Sequence, residues 1–96
     1  MRNNSEELWL SLTYRAGELE DSGNPVECSD KPDLFFPEDY YSLALRARAE
    51  SEAKEICARC SIRDLCAAYA LAAKEPAGVW GGYSAADRLS LRTRLR

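Results

Sequence analysis

Cys28, Cys57, Cys60 and Cys66 are all the thiols of the chain, and it contains no histidine. Three of them form the cluster Cys57-x2-Cys60-x5-Cys66, and Cys28 stands 29 positions before Cys57. Four thiolates can complete a tetrahedral set for one zinc ion, or give one sulfur to each iron of a cubane cluster. Without imidazole, mixed cysteine–histidine sites are excluded, so a metal site here is all-sulfur or completed by a carboxylate. Structural zinc sites usually draw ligands from two close pairs, which keeps loop-closure entropy low. One solitary ligand and a final x5 spacing depart from that pattern. Iron–sulfur sites accept a run of close cysteines plus one distant ligand, so the spacing leans modestly toward iron–sulfur. A redox dithiol at Cys57 and Cys60 is also open, with Arg59 and Arg63 near enough to lower a thiolate pKa. Its Ser-Ile-Arg-Asp continuation lies outside any βαβ pattern, however. Two disulfides, with three connectivities, complete the alternatives.

The elements that must position these thiols read as helices. Trp9, Leu12, Ala16 and Leu19 share one stripe between about Ser5 and Glu20, with Gly23 and Pro25 as stop signals. Residues 21–37 hold three of the four prolines and read as a turn-rich connection carrying Cys28. Phe35 and Phe36, adjacent in this non-helical segment, are expected to point one inward and one outward. From roughly Tyr40 to Ala58 the pattern predicts a helix with Leu45, Ala49, Ala53 and Ile56 along one side. Cys57 and Cys60 lie near its end, three apart and able to face one centre. A further helix is expected from Ser61, with Ser61-x-x-Asp64 as a capping box, and Pro76 ends it. That helix places Cys66 on its buried face. Gly78-Val79-Trp80-Gly81-Gly82 reads as a tight turn whose glycines permit positive φ and leave Trp80 without shielding neighbours. A last helix begins at Ser84 and runs through Leu89, Arg92 and Leu95. No strand is expected, and the fold reads as all-α with about four helices.

Chains of 96 residues often need a cross-link to stay folded, and a centre joining Cys28 to the other cysteines would supply it. No apolar run reaches the length of a membrane span, and the first residues lack a signal pattern. The expectation is a soluble cytoplasmic protein, where spaced cysteines are more often metal ligands or redox thiols than disulfides. Charge is divided along the chain: residues 1–45 carry three basic side chains against ten acids, and residues 46–96 carry ten against six. Arg88, Arg92, Arg94 and Arg96 fall within the last nine residues, where no acid occurs. They are the candidates for a nucleic-acid contact, against the alternative of a solvated helix end.

Taken in order, Cys28-x4-Asp33-Leu34-Phe35-Phe36-Pro37, Cys57-x2-Cys60-x5-Cys66 and Gly78-Val79-Trp80-Gly81-Gly82 resemble the WhiB-like family of actinobacteria and their phages. The resemblance covers about Cys28 to Arg96. It implies an iron–sulfur transcription regulator, not an enzyme, with a [4Fe–4S] cluster on Cys28, Cys57, Cys60 and Cys66. It also implies docking on the C-terminal domain of the principal sigma factor of RNA polymerase, through Phe35, Phe36 and Pro37 and through Gly78, Val79, Trp80, Gly81 and Gly82. A response to redox conditions or nitric oxide is implied too, as is promoter DNA as a further partner. The chain departs from the family pattern at Ser61, where many relatives have proline, and in its long acidic start. It divides on this reading into an acidic extension (1–27), a cluster core (28–83) and a short basic helix (84–96). Set beside this reading are a cluster-free thiol–disulfide reductase and a structural zinc module.

Overall fold

Helix α1 spans Ser5–Asp21, with Glu6 and Glu7 in its first turn, where acids complement the helix dipole. It ends where Gly23 takes φ +85°, which lets the Asn24 N–H turn back to the Leu19 carbonyl at 2.8 Å. This computed structural model describes residues 4–94. Three short 3-10 turns follow: Glu27–Asp30, Pro32–Phe35 and Pro37–Asp39. Proline opens two of them, because its fixed φ suits a first helical position. The Cys28 segment is thus a chain of single turns, as its proline content implies.

Helix α2 spans Leu43–Ala58 and starts later than the expected Tyr40. Ser42 is the reason: its hydroxyl accepts the Leu45 N–H at 3.3 Å while its own backbone stays extended. Ala49, Ala53 and Ile56 are buried as the stripe requires, whereas Leu45, in the first turn, remains 47% exposed. Helix α3 spans Arg63–Ala73 rather than opening at Ser61, and the expected capping box does not form. Ile62 occupies the cap position and is buried, so core packing sets the entry into α3 and leaves Asp64 outside, 93% exposed. Lys74 in the left-handed conformation ends it ahead of Pro76. Helix α4 spans Ala85–Arg94 and does carry a reciprocal box. Ser84 N–H donates to Asp87 Oδ2 at 2.9 Å, and Asp87 N–H donates to Ser84 Oγ at 3.1 Å.

The architecture is all-α, with four α-helices and a single isolated bridge, Trp80 to Tyr83, among the described residues. Helix α1 packs against α3, while the 3-10 turns pack against α2. Phe35, Ala53, Ile56, Cys57 and Val79 form the buried cluster, and Cys28 and Leu34 lie against it. One thiol, Cys57, therefore belongs to the core itself, and a second, Cys28, packs against it. Among the described residues no helix is long and apolar enough to cross a membrane.

Candidate metal centre

The cysteines arrive from three directions. Cys28 sits in the first 3-10 turn, Cys57 in the last turn of α2, and Cys66 in the first turn of α3. Between helices the chain reverses through two tight bonds: Cys60 N–H to the Cys57 carbonyl at 3.0 Å, and Arg63 N–H to the Cys60 carbonyl at 3.3 Å. All four thiols are free, Cys57 is buried, and the other three are half-buried. All four line one cavity of about 370 Å³, together with Trp80 and Gly81. Liquid water takes about 30 Å³ per molecule, so this space far exceeds a single ion. Among the described residues no three Cys, Asp or Glu side chains are gathered closely enough to hold a metal ion as they stand. The donor set fits a multi-atom core ligated by four thiolates.

Burial pushes the Cys66 thiol up to about 12, and it raises Cys28 and Cys57 above the ordinary thiol value as well. Neighbouring cysteines add to each rise, because gathered thiolates repel one another, and at Cys57 the positive charge of Arg63 offsets part of it. Opposing this, the backbone N–H groups of Gly81 and Gly82 favour the Cys57 thiolate, and that of Gly81 favours Cys66. Cationic iron would supply the missing positive charge and expel the protons.

Gly81 is where the turn meets the cavity wall. Its φ is +58°, and a Cβ there would lie 2.5 Å from both the Arg63 carbonyl oxygen and the Ala67 nitrogen. Only glycine lets this backbone press against the start of α3. Trp80 beside it is not unshielded, as the sequence suggested. Its indole N–H donates to the Ala77 carbonyl at 3.1 Å, and Tyr69 of α3 stands 5.4 Å from it, ring centre to ring centre. Trp9 of α1 also meets Tyr69, with ring centres 5.1 Å apart and planes tilted by 46°. Helix α1 therefore reaches the cavity, whose wall includes Trp9 and Leu12.

The residues expected to meet a partner divide by burial. Phe36 is 41% exposed, and Trp80 and Gly82 are half-exposed. Phe35, Pro37, Val79 and Gly81 are buried, as is Gly78, so they shape the face from beneath rather than compose it. Phe35 and Phe36 do point opposite ways, one into the core and one outward. Among the basic candidates, Arg88 is corrected outright. It is 0% exposed, and its guanidinium donates to the carbonyls of Glu75, Ala77, Gly78 and Tyr83 at 2.7–3.1 Å. Such a group has no surface to offer a phosphate. Arg92 is half-buried and Arg94 exposed, while Arg96 lies outside the described residues.

One pair was missed from sequence. Arg59, inside the Cys57–Cys60 segment, grips Glu27 next to Cys28: its Nε donates to Oε1 at 2.9 Å and its Nη2 to Oε2 at 2.7 Å. Arg59 holds the Glu27 carboxyl down to about 2, with Lys31 assisting. The visible signal was an acid and a base each adjacent to a candidate ligand. Their separation of 32 positions hid the pairing.

Residues 24–91 match the family model described as transcription factor WhiB. The chain belongs to the WhiB family. It is 48% identical over 63 residues to the transcriptional regulator WhiD of Streptomyces coelicolor, covering 66% of this chain and 56% of that protein. It is 43% identical over 61 residues to the transcriptional regulator WhiB2 of Mycolicibacterium smegmatis (64% and 42% covered). To the redox- and pH-responsive transcriptional regulator WhiB3 of Mycobacterium tuberculosis it is 42% identical over 55 residues, covering 57% and 54%. The chain thus spans about half the length of these curated relatives. All four cysteines, the phenylalanine pair, the glycine turn and Arg88 lie inside the family match. Helix α1 lies outside it, although its Trp9 and Leu12 help to wall the cavity.

Proposed function

We propose that this chain is a cytoplasmic iron–sulfur regulator of transcription, with a [4Fe–4S] cluster held by Cys28, Cys57, Cys60 and Cys66. A single observation carries the reading: the four thiols and Trp80 line the same cavity, so ligands and partner face share one wall. The cluster, when bound, supplies an oxidant-sensitive centre whose loss frees its ligands. The chain's own residues do the rest. Gly81 and Gly82 direct backbone amides toward the ligand sulfurs, Glu27 and Arg59 tie the Cys28 turn to α2, and Trp80 and Phe36 present apolar surface beside the site. Large, rigid aromatic groups of this kind dominate protein interfaces. The partner we assign to that face is the C-terminal domain of the principal sigma factor, and oxygen or nitric oxide is the signal. Such a cluster would join the Cys28 turn to the ends of α2 and α3 through its four thiolates, and its loss would release that tie beside Trp80.

An exchange enzyme built on Cys57 and Cys60 is less well supported. Cys57 is buried and its thiol raised, which lowers the fraction of nucleophilic thiolate. Anaerobic purification together with the sigma domain tests the reading. A brown protein with broad absorption near ~400 nm that retains sigma is expected. Trp80→Ala is expected to keep the colour and weaken sigma binding by at least ~30-fold, the weight of a hot-spot side chain. A colourless, iron-free but folded wild-type chain would sink the cluster, and undiminished sigma binding by Trp80→Ala would sink the docking face.

A further inference from the structure

Arg88 is the most thoroughly buried large side chain of the described residues, and among them no ion pair meets its charge. Instead, four backbone carbonyls surround the guanidinium. Nη2 donates to Glu75 at 3.0 Å and Ala77 at 3.1 Å, and Nη1 to Gly78 at 2.9 Å and Tyr83 at 2.7 Å. These acceptors are not scattered. Three lie on the approach to the glycine turn and the fourth just beyond it, so one rigid fork joins both ends of residues 78–83. The entry side of the loop has further ties: Gly78 N–H donates to Glu38 Oε2 at 2.9 Å, and Val79 N–H to the Phe35 carbonyl at 2.8 Å. At the exit, Arg88 fastens the Tyr83 carbonyl to the same fork.

The geometry points to Arg88 as the positioning residue of the site, the clamp that sets where Trp80 and the Gly81–Gly82 amides stand relative to the cysteine cavity. Arginine suits this role because its planar donors can span several carbonyls at once, which a lysine ammonium cannot do in one plane. The clamp also makes α4 part of the centre. The Ser84–Asp87 box starts that helix in register, and the Lys54–Asp87 pair at 2.8 Å anchors it to α2. A shift of α4 would therefore be felt at the sulfurs and at Trp80 together. The positioning stands on geometry alone; its effect on cluster and partner rests on the function proposed above.

Arg88→Lys and Arg88→Met in the full-length, anaerobically prepared chain test this assignment, with Arg94→Ala as a surface control. Hydrogen exchange at the Val79, Trp80 and Tyr83 amides is expected to quicken at least ~tenfold in Arg88→Met, and less in Arg88→Lys, while mid-helix amides of α2 and α3 keep their rates. The visible circular dichroism of the cluster is expected to change, and sigma affinity to fall about tenfold or more with Trp80 still present. Turn amides that exchange at wild-type rates would overturn the clamp, as would uniform acceleration across all helices. If neither Arg88 variant folds, Ser84→Ala carries the test by loosening only the start of α4. Turn amides are then expected to open in proportion to those of α4, and turn amides that stay closed while α4 opens would overturn it. Exchange is readable with or without the cluster, so an iron-free wild type sinks the cluster reading and leaves this one standing or falling separately.

Discussion

Glu27 and Arg59 illustrate how one pair of side chains can govern a site that neither enters. Their bidentate contact fastens the turn bearing Cys28 to the segment bearing Cys57 and Cys60. Both groups are partly exposed, so solvent screens the attraction, and its value lies in alignment more than in stability. Glu27→Gln is expected to leave the chain folded and to hasten cluster loss in air severalfold, followed by the decay of visible absorption. The pH dependence follows from the depressed carboxyl. Ionised in the folded chain down to about 2, against an ordinary value of 4.5, Glu27 contributes fully above pH 4.5. Its contribution fades as pH falls from 4.5 toward about 2, because the unfolded carboxyl takes up its proton first. The stability difference between variant and wild type is therefore expected to be flat from about pH 5 to 8 and to shrink in acid, as thermal denaturation across pH would show.

At the level of elements, the turn between α3 and α4 is more constrained than any helix. Gly81 and Gly23 both have positive φ, but nothing lies within 4 Å of a Cβ at Gly23, whereas a Cβ at Gly81 would strike the backbone of α3. Gly23→Ala is expected to cost about 1 kcal/mol, the strain of a left-handed residue alone. Gly81→Ala adds an unavoidable clash and is expected to cost roughly 3 kcal/mol or more, with loss of the cluster. Denaturant midpoints of the two variants, measured side by side, check the contrast. The helices follow simpler rules: α4 starts at a satisfied capping box, while α3 forgoes one because burying Ile62 outweighs the cap. An N-cap is worth about 1 kcal/mol, and a fully buried isoleucine somewhat more.

Seen whole, the molecule is a slab of about 38 × 36 × 19 Å. Helices with their side chains are ~10–12 Å across, so the slab is about two helices thick and the cysteine cavity cannot lie deep. Small oxidants have a short path to it, which suits a sensing role. The thinness also limits the core to a few apolar side chains, with Cys57 among them and Cys28 packed against them. Removing the cluster is accordingly expected to lower the thermal midpoint by more than ~10 °C and to reduce helix content, read by far-ultraviolet circular dichroism. At the basic end, Arg92→Ala with Arg94→Ala is expected to make DNA binding by the sigma complex less salt-dependent. The slope should fall by about one for each phosphate that is no longer neutralised. An unchanged slope would assign these arginines to a solvated helix end. Arg88, being buried, is expected to play no part in that dependence.

Residue type and local spacing determined the donor chemistry, the all-α character and the helix starts to within a few residues. Four thiols without histidine admit few metal sites, and apolar residues three and four apart commit a segment to one helical face whatever surrounds it. The end of α1 was legible because Gly23 takes up a positive φ, whereas α3 stops at a left-handed Lys74 before reaching the expected Pro76. Tertiary structure decided which member of a like pair faces inward. Phe35 and Phe36 are interchangeable in sequence, as are Arg88 and Arg92 in charge and helical setting, and only packing against distant backbone separates them. It also decided that Tyr69 meets both Trp9 and Trp80 and that Glu27 meets Arg59. Such contacts bridge separations far beyond one helical turn. No local pattern encodes them, because their energy exists only once the helices have docked.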